Sequence, residues 1–388
     1  MKLNKKISIL GSTGSVGRSA LRVIESIDGF EVVALSGHRN LTLLAAQARQ
    51  FTPRFVVVSS SEDAESFGKS ELLELPKGTE VLVGPESLDR IATLDEVDIV
   101  LAAIVGIAGL QSTYAAVQAG KRVALANKES LVVAGHLIEP MMASGSATLL
   151  PVDSEHSAVL QALTSGKKQE VARVTLTASG GPFRDWPADS LSTVTVEQAL
   201  THPTWNMGKK ISIDSATMMN KSLELIEAKW LFDLKEDQLG VVIHPQSIVH
   251  SLVEYVDGSS IAQLSPPDMM LPIQYALTYP DRIKGPSPRL NLEESLSLEF
   301  LPPDYEKFPA LKIGFEVVRM GGSCGAILNA ANEAAVEAFI EQKIGFTDIA
   351  VACREVLDHH HFIPCPDMAE IIEADRWARQ EISKWIAA

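Results

Sequence analysis

The sequence predicts an α/β protein with an N-terminal doubly wound, Rossmann-like domain, a central α+β domain and a C-terminal helical bundle. Three observations lead to this prediction. Short apolar runs alternate with helical patterns as far as residue 151, and a glycine-rich turn follows the first run. From residue 310 onward the chain is almost entirely helical by pattern. Short apolar runs between helices are typical of buried parallel strands.

The first domain, residues 1–151, contains seven predicted strands and at least two helices. The strands are 7–10, 30–35, 55–58, 81–83, 99–102, 122–125 and 148–151, and the helices are 19–27 and 41–51. The long uncharged stretch 99–120 carries polar side chains in its second half, which suits a buried strand, a turn and a helix better than a membrane span. This rhythm is typical of dinucleotide-binding folds.

The remaining chain divides by composition. Residues 152–280 form the central domain, with strands predicted at 171–178, 248–256 and 260–264 and a helix at 215–232. Residues 281–309 are rich in proline and lack periodicity, which is typical of a linker. Residues 310–388 contain four helical patterns separated by short loops, and His359–His361 should end one of those helices.

Composition excludes several classes of protein. The chain has 46% apolar residues and a net charge of −15, so a disordered chain and a general nucleic-acid binder are both excluded. Three cysteines without a C-x-x-C pair exclude a disulfide framework and a cysteine zinc site. No signal peptide, transit peptide or membrane span is evident, so we expect a cytoplasmic protein from a bacterium.

The turn after the first strand is a candidate cofactor site. Gly11, Gly14 and Gly17 form G-x-x-G-x-x-G before a helix, where backbone N–H groups can bind a pyrophosphate. The second strand runs into Gly37-His38-Arg39-Asn40, which contains no acidic residue. A cation there suits a 2′-phosphate, so we expect NADP rather than NAD. Arg39 as a plain solvated loop residue is the alternative.

Carboxylates in the central part indicate a metal site. Asp153 and Glu155 stand at i and i+2 after a predicted strand, so on an extended segment they share one side. A hard cation such as Mg²⁺ or Mn²⁺ would relieve their repulsion, whereas an isolated pair is more often an exposed acidic turn. A third ligand is Glu224, which shares one helix face with Asn220 at i, i+4, or Glu227, and spacing cannot choose between them. Glu227 could instead pair with Lys221 or Lys229, and Asp214 or Ser215 can cap the helix.

Three loops complete the set of candidates. Ser179-Gly180-Gly181 follows a strand and offers hydroxyl and N–H groups to a phosphate. Residues 202–208 (HPTWNMG) combine Pro, Trp, Met and Gly, a composition that suits a lid over a ligand. Lys128 and Glu129 lie just beyond a strand of the first domain, where doubly wound sheets bind ligands. A plain turn, a core-anchored loop and a surface ion pair are the corresponding alternatives.

Together these motifs resemble one family. GSTGSVG, LANKE, PVDSEH, SGGPF, HPTWNMG and ISIDSATMMNKSLELIEA, in this order, resemble the 1-deoxy-D-xylulose 5-phosphate reductoisomerases over essentially the whole chain. The resemblance implies conversion of 1-deoxy-D-xylulose 5-phosphate to 2-C-methyl-D-erythritol 4-phosphate with NADPH and Mg²⁺ or Mn²⁺, in non-mevalonate isoprenoid synthesis. It also implies a homodimer, and it leaves a retro-aldol and an α-ketol route equally open.

The resemblance also assigns residues. It places the metal on Asp153, Glu155 and Glu224, and so on Glu224 rather than Glu227. The implied catalytic residues are these three and Lys128. The implied substrate-binding residues are Lys128, Ser154, Glu155, Ser179, His202, Trp205, Ser215, Asn220, Lys221 and Glu224, with Ser179, Ser215, Asn220 and Lys221 as the phosphate cradle. The implied cofactor-binding residues are Thr13, Gly14, Ser15, Val16, His38, Arg39, Asn40, Asn127, Glu129, Met207 and Gly208.

Two positions depart from the commonest family pattern. Val16 replaces an isoleucine, and His38 stands where many relatives have a small residue.

Two other functions compete with this one, and a semialdehyde- or homoserine-type NADP dehydrogenase is the runner-up enzyme. The semialdehyde type needs a mid-chain cysteine nucleophile, whereas every cysteine here lies at position 324 or beyond. An NADP-binding regulatory protein would leave the carboxylates unexplained.

Overall fold

The structure, a computed structural model, describes residues 4–60, 75–205 and 207–388. The chain divides into two compact units. The first unit comprises Met1–Ser130, Pro140–Ser157 and Asp268–Ser287, and the second comprises Leu131–Glu139, Ala158–Pro267 and Pro288–Ala388. The four-part division made from composition stays a prediction about domains.

The first unit is built on a parallel sheet of seven strands in the order β4-β3-β2-β1-β5-β6-β7. Its strands coincide closely with the seven predicted apolar runs. They are β1 Lys5–Leu10, β2 Phe30–Gly37, β3 Phe55–Val58, β4 Glu80–Val83, β5 Ile99–Ala102, β6 Arg122–Leu125 and β7 Thr148–Pro151. β3 and β5 are buried along their whole length, which explains why their sequences are uninterrupted apolar runs rather than alternating ones.

Among the described residues, five helices connect these strands and two follow the last strand; helices are numbered in chain order. They are α1 Ser15–Ser26, α2 Leu41–Phe51, α3 Glu86–Thr93, α4 Leu110–Gln118, α5 Lys128–Ala143, α6 Ser154–Leu163 and α10 Met270–Thr278. Residues 131–139 of α5 and 158–163 of α6 belong to the second unit. The predicted helix 19–27 therefore begins four residues earlier, directly after the glycine turn. The uncharged stretch 99–120 forms β5, a short 3₁₀ turn and α4, as expected.

Strand register aligns the loops that matter. Leu10 pairs with Ala102, Ala102 with Leu125, and Leu125 with Pro151. These residues end β1, β5, β6 and β7, so the carboxyl ends of four strands form one row. The segments that follow β1, β6 and β7 carry the glycine turn, Lys128 and Asp153. Parallel topology thus brings three separate motifs to one edge of the sheet.

The second unit contains a mixed sheet in the order β11-β10-β8-β9. Its strands are β8 Val171–Ala178, β9 Leu239–Ile243, β10 Val249–Tyr255 and β11 Ser260–Leu264. β8 is antiparallel to β10 and parallel to β9. The five-residue strand β9 is missing from the sequence prediction. Within the otherwise irregular segment 281–309, Leu301 forms one antiparallel bridge with Ile243 of this strand.

The helices of the second unit surround one apolar core. They are α7 Val196–Leu200, α8 Lys209–Ala216, α9 Met219–Phe232, α11 Ala310–Met320, α12 Cys324–Ile340, α13 Asp348–His359 and α14 Met368–Ala387. α12 is rich in alanine and almost wholly buried, so other helices approach it closely. α13 ends at His359, as the histidine run predicted; the imidazole of His360 bonds to the carbonyl of Leu357 (2.6 Å).

The prediction of one helix over 215–232 is wrong. The segment forms α8 and α9, separated at Met218, whose φ of 63° lies in the left-handed region. Asp214 and Ser215 therefore lie in the last turn of α8 and do not cap a helix. A residue other than glycine adopts this conformation only at a cost in conformational free energy. Packing of both helices must therefore hold the break in place.

Candidate active site

The glycine turn after β1 is tightly packed at Gly11 and Gly17 and open to solvent at Gly14. Gly11 has a φ of 87°, and a Cβ there would lie 2.8 Å from the carbonyl oxygen of Ala103. A Cβ on Gly17 would lie 2.6 Å from the Cα of Ser12. Gly14 is exposed and meets no such obstacle. The first and third glycines thus let the backbone fold, while the second leaves room for a ligand.

Four of the predicted cofactor residues line this turn. Gly14 and Ser15 are exposed, and Thr13 and Val16 are half-buried. α1 begins at Ser15, so the N–H groups of its first turn have no intrahelical partner and can bind an anion. The backbone N–H of Gly11 donates to the Ser36 hydroxyl at 2.8 Å, which holds the end of β2 beside the turn.

His38, Arg39 and Asn40 follow β2 and are all exposed. Asn40 caps α2, because its side-chain oxygen accepts from the N–H of Leu43 at 3.2 Å. The ring of His38 bonds to the hydroxyl of Ser59 at 3.1 Å. Arg39 is thus an exposed cation at the position where an NAD-binding fold would carry an acid.

Asn127 and Glu129 mark the start of α5 and are buried. The Asn127 amide donates to the carbonyls of Ile104 (2.6 Å) and Gly106 (2.9 Å), and its oxygen accepts from the N–H of Ser130 (3.1 Å). Asn127 thus ties α5 to the loop after β5. This bonding gives Asn127 a structural role, and the cofactor contact expected of it stays a prediction.

Lys128 and Asp153 form a nearly buried ion pair across neighbouring strands. Their side chains are 7% and 12% exposed. Burial alone would raise the pKa of Asp153, but the Lys128 ammonium and further hydrogen bonds hold it well below its usual range. The Asp153 carboxylate therefore stays ionised, as a metal ligand must be.

The expectation that Asp153 and Glu155 share an extended segment is wrong. α6 begins at Ser154, which places Glu155 in the first helical turn. The N–H of Glu155 bonds to Asp153 Oδ1 at 3.3 Å, so Asp153 acts as the cap of this helix. The negative charge of Glu155 also lies at the favourable end of the helix dipole. Helix formation, rather than strand geometry, orients the two carboxylates.

In the second unit, α9 supplies the other predicted carboxylate. Glu224 is 1% exposed, and it receives hydrogen bonds from both Asn220 and Lys221 on the preceding turn. The i, i+4 relation of Asn220 and Glu224 is confirmed. Lys221 is itself 3% exposed, so this charge pair is held out of solvent. Glu227, one turn on, is equally buried.

The glycine turn after β8 brings several predicted residues together within the second unit. The Ser179 hydroxyl lies 3.0 Å from His202 Nε2 and accepts from the N–H of Gly181 at 3.2 Å. Gly181 has a φ of 69°, and a Cβ there would lie 2.8 Å from the carbonyl oxygen of Ser215. The turn therefore packs on the end of α8, which places Ser179 and Ser215 on adjoining backbone.

The geometry of His202 fixes its protonation. His202 Nδ1 accepts from the backbone N–H groups of Thr204 (3.1 Å) and Trp205 (2.9 Å). Because a backbone N–H can only donate, the proton must reside on Nε2, which donates to Ser179. Burial lowers the pKa of His202 to about 4, so the ring is neutral at pH 7. The Ser179 hydroxyl is then free to donate its own hydrogen.

The predicted lid is partly described. Trp205 is half-buried, Met207 is half-buried and Gly208 is exposed ahead of α8, while Asn206 lies outside the described residues. The Trp205 ring lies 6.5 Å from the ring of His250 on β10. The sequence predicts His250 only as part of a strand. A histidine within the mainly apolar predicted strand 248–256 is the sequence signal that could have singled it out.

Comparison with known proteins decides the family. Models of 1-deoxy-D-xylulose 5-phosphate reductoisomerase and of two of its C-terminal domains match residues 7–135, 149–232 and 264–381. The reductoisomerases of Chlorobium chlorochromatii and Pelotomaculum thermopropionicum are 50% and 51% identical, over 97% of this chain and 98% and 97% of theirs. The chain belongs to the 1-deoxy-D-xylulose 5-phosphate reductoisomerase family.

Solved reductoisomerase structures agree with this membership. The Zymomonas mobilis enzyme in complex with NADPH matches with a TM-score of 0.91 at 41% identity, over 99% of both chains. A reductoisomerase in complex with NADPH, fosmidomycin and magnesium matches with a TM-score of 0.92 at 44% identity, over 99% of this chain and 98% of that one. The predicted family and fold class are both confirmed.

Membership in the reductoisomerase family leaves some expectations untested. The individual ligand and contact residues stay predictions. Among the described residues, no helix is both long and apolar enough to cross a bilayer.

Proposed function

We propose that this chain rearranges and reduces 1-deoxy-D-xylulose 5-phosphate to 2-C-methyl-D-erythritol 4-phosphate, using NADPH and a divalent cation, in non-mevalonate isoprenoid synthesis. The observation that carries the proposal is full-length membership in the reductoisomerase family. A solved relative whose description names NADPH, fosmidomycin and magnesium together supports the same cofactors here. The local geometry of each unit is consistent with this chemistry.

The first unit supports NADPH binding. The open side of Gly14 and the start of α1 suit a pyrophosphate, and the exposed Arg39 suits a 2′-phosphate. NADPH supplies the hydride that reduces the rearranged product. The proposed cofactor residues are Thr13, Gly14, Ser15, Val16, His38, Arg39, Asn40, Asn127, Glu129, Met207 and Gly208.

Three carboxylates are the proposed metal ligands: Asp153, Glu155 and Glu224. Their oxygens are the hard donors that Mg²⁺ prefers, and Mn²⁺ accepts the same set. Asp153 and Glu224 each have a lysine partner, whose positive charge offsets part of the cost of burying the carboxylate. When bound, the cation stabilises negative charge on the oxygens of the substrate.

The second unit supplies the proposed phosphate cradle. Ser179 has a free hydroxyl hydrogen because its oxygen already accepts from His202 and Gly181. Ser215 lies on the adjoining backbone, and Asn220 and Lys221 begin α9. Two hydroxyls, an amide and an ammonium form a donor set suited to a phosphate dianion.

The chain's own acid–base groups complete the mechanism. Lys128 Nζ holds protons beside Asp153 and can donate one to a substrate oxygen, and Glu155 can accept one. Ser154 and His202 complete the proposed substrate contacts. Trp205, near the start of α8, can cover the bound substrate and exclude water from the aldehyde formed by rearrangement.

We also propose a homodimer in the bacterial cytoplasm. All three cysteines are free thiols, which suits a reducing compartment. The curated relatives are bacterial enzymes. The dimer follows from the family resemblance, and the mass of the purified protein in solution tests it directly.

The first test is NADPH consumption by the purified protein. We expect consumption with 1-deoxy-D-xylulose 5-phosphate and Mg²⁺ or Mn²⁺, and none after a chelator is added. NADPH binding measured separately shows whether the protein is competent. Binding without consumption would contradict the proposed reaction and favour another dehydrogenase or a sensor.

The second test separates two equally buried carboxylates on α9. Glu224→Gln should lower metal-dependent turnover by about 10²-fold or more while NADPH binding stays near wild type. Glu227→Gln is the matched control, since it makes the same change one helical turn away. Near wild-type turnover in Glu224→Gln would show that the metal assignment is wrong.

A further inference from the structure

α8 is joined to α12 by a buried polar chain. Asp214, in the last turn of α8, is 1% exposed. Its Oδ2 pairs with Lys210 at 2.8 Å, and its Oδ1 accepts from the side-chain amide of Asn332 at 2.8 Å. Asn332 lies on α12 and is fully buried. Each oxygen of this carboxylate is thus fixed by a different helix.

This buried polar arrangement costs more free energy than apolar packing of the two helices would. Among the described residues, no donor reaches Asn332 Oδ1, and a buried amide oxygen without a hydrogen bond costs free energy. α12 is otherwise mostly apolar, so a well-packed apolar pair in place of Asn332 and Asp214 would avoid that cost. The polar pair supplies what an apolar pair cannot: a directional bond that fixes how α8 is rotated about its axis.

Rotation of α8 matters because of the residue after Asp214. Successive side chains of a helix differ by about 100° in direction, so fixing Asp214 also fixes Ser215. Ser215 is only half-buried, and its carbonyl packs on Gly181 of the turn that carries Ser179. A small rotation of α8 would therefore change the spacing between the two hydroxyls proposed to bind phosphate.

We propose that Asn332 and Asp214 are positioning residues for the substrate phosphate and act through the Ser215 hydroxyl. Neither residue touches the substrate. The inference rests on the proposed function, because it assumes that Ser215 binds the phosphate. It extends the substrate site to α12, a helix of the C-terminal part that carries none of the predicted site residues.

The test introduces a carboxylate at position 332. Asn332→Asp places two carboxylates within hydrogen-bond distance, and such a pair holds one proton between them. At low pH the protonated oxygen donates to Asp214 in place of the amide, whereas at high pH the two charges repel. Among the described residues, Lys210 and Cys353 are titratable groups that interact with Asp214. Burial raises the pKa of Cys353, and the Asp214 charge raises it further, so the thiol stays neutral.

Asn329→Asp is the matched control. Asn329 lies one turn earlier on α12, is equally buried, and also donates to a carboxylate, that of Glu333 at 3.1 Å. Its replacement makes the same chemical change without a link to α8. The readouts are substrate KM, kcat and equilibrium binding of 1-deoxy-D-xylulose 5-phosphate to the metal-loaded protein, each as a ratio to wild type at pH 6 and pH 8.

We expect Asn332→Asp to raise KM and weaken binding about tenfold at pH 8, with kcat within about threefold of wild type and partial recovery at pH 6. Asn329→Asp should stay within about twofold at both pH values. Equal effects in the two variants, or a pH-independent ratio in Asn332→Asp, would overturn the inference. Failure of the proposed function would appear differently, as absence of turnover and substrate binding in the wild type.

A second variant tests the inference if Asn332→Asp does not fold. Asp214→Asn keeps the shape of the side chain and an acceptor for Asn332 but removes the charge that holds Lys210. It should raise KM several-fold without the pH dependence expected of Asn332→Asp. If Asn332→Asp does not fold and Asp214→Asn has wild-type KM, positioning through Ser215 is wrong.

Discussion

Each unit of the molecule pairs a lysine with a carboxylate, but the two pairs are assembled differently. Lys128 and Asp153 in the first unit follow β6 and β7, and the order of the sheet brings them together. Lys221 and Glu224 in the second unit are one turn apart on α9. The same chemical pair thus arises from tertiary topology in one unit and from helical periodicity in the other.

The two pairs also differ in exposure, which suggests a division of labour. The Lys128 and Asp153 side chains are 7% and 12% exposed, whereas Lys221 and Glu224 are 4% and 1% exposed. Both ammonium groups are buried, so the difference lies in the carboxylates: Asp153 keeps some access to solvent, whereas Glu224 has almost none. We expect Lys128 to transfer protons and Lys221 to bind the phosphate. If this contrast is functional, removing each lysine must affect a different kinetic constant.

Replacing the two lysines tests the contrast most severely. Lys128→Met should lower kcat by about 10³-fold, because it removes a proton donor, with a smaller effect on substrate KM. Lys221→Met should raise substrate KM by about 10- to 100-fold with a smaller effect on kcat, because it removes a charge-assisted hydrogen bond. Steady-state kinetics measure both; the same pattern in the two variants would remove the distinction.

The next test sharpens the contrast between packing and binding inside the glycine turn. Gly17→Ala should destabilise the first unit by about 2–3 kcal/mol, because its Cβ would overlap backbone that cannot move freely. Gly14→Ala should change the free energy of unfolding by less than about 1 kcal/mol, since its φ of −71° suits any residue.

NADPH binding completes that test. Gly14→Ala should bind NADPH at least about tenfold more weakly, because its Cβ would stand where the pyrophosphate approaches the backbone. Thermal unfolding and a fluorescence titration with NADPH give the two quantities. Full NADPH affinity in Gly14→Ala would show that the open side of the turn is not the cofactor site.

A smaller effect is expected at the end of β2. Arg39→Ala should raise the KM for NADPH about tenfold and leave the KM for NADH unchanged, because only NADPH carries the 2′-phosphate. Arg22→Ala, an exposed charge on α1, is the matched control. An equal change in both variants would indicate a general electrostatic effect of the first unit instead of a specific contact.

The smallest expected effect concerns pH. Burial lowers the pKa of His202 to about 4 in the folded protein, against about 6.5 in the unfolded chain. As the pH falls, His202 is therefore protonated in the unfolded chain before it is protonated in the folded protein. Its contribution to stability is present above pH 6.5 and is lost as pH falls toward 4. The shift corresponds to about 3 kcal/mol, and solvent screening at this half-buried site reduces it to roughly 1 kcal/mol.

His202→Asn should therefore flatten the loss of stability between pH 6.5 and 4.5, measured by urea unfolding. His38→Asn makes the same replacement at an exposed histidine of the first unit and is the matched control. Identical pH profiles for wild type and His202→Asn would show that the neutral ring of His202 does not stabilise the second unit.

Local rules were enough to predict much of this protein. All seven strands of the first unit were predicted because apolar runs and helical periods are properties of short segments. The glycine turn and the shared face of Asn220 and Glu224 follow from backbone freedom and from a period of 3.6 residues. The sequence motifs also sufficed to place the chain in its family.

Tertiary structure decided the features that depend on distant segments. The Lys128–Asp153 pair depends on strand order, the Ser179–His202 contact on a loop that folds back, and the Asn332–Asp214 bond on the packing of α12 against α8. The left-handed Met218 and the short strand β9 also depend on their neighbours. Local patterns cannot encode such contacts, because the energy of each one depends on which remote residues packing brings to it.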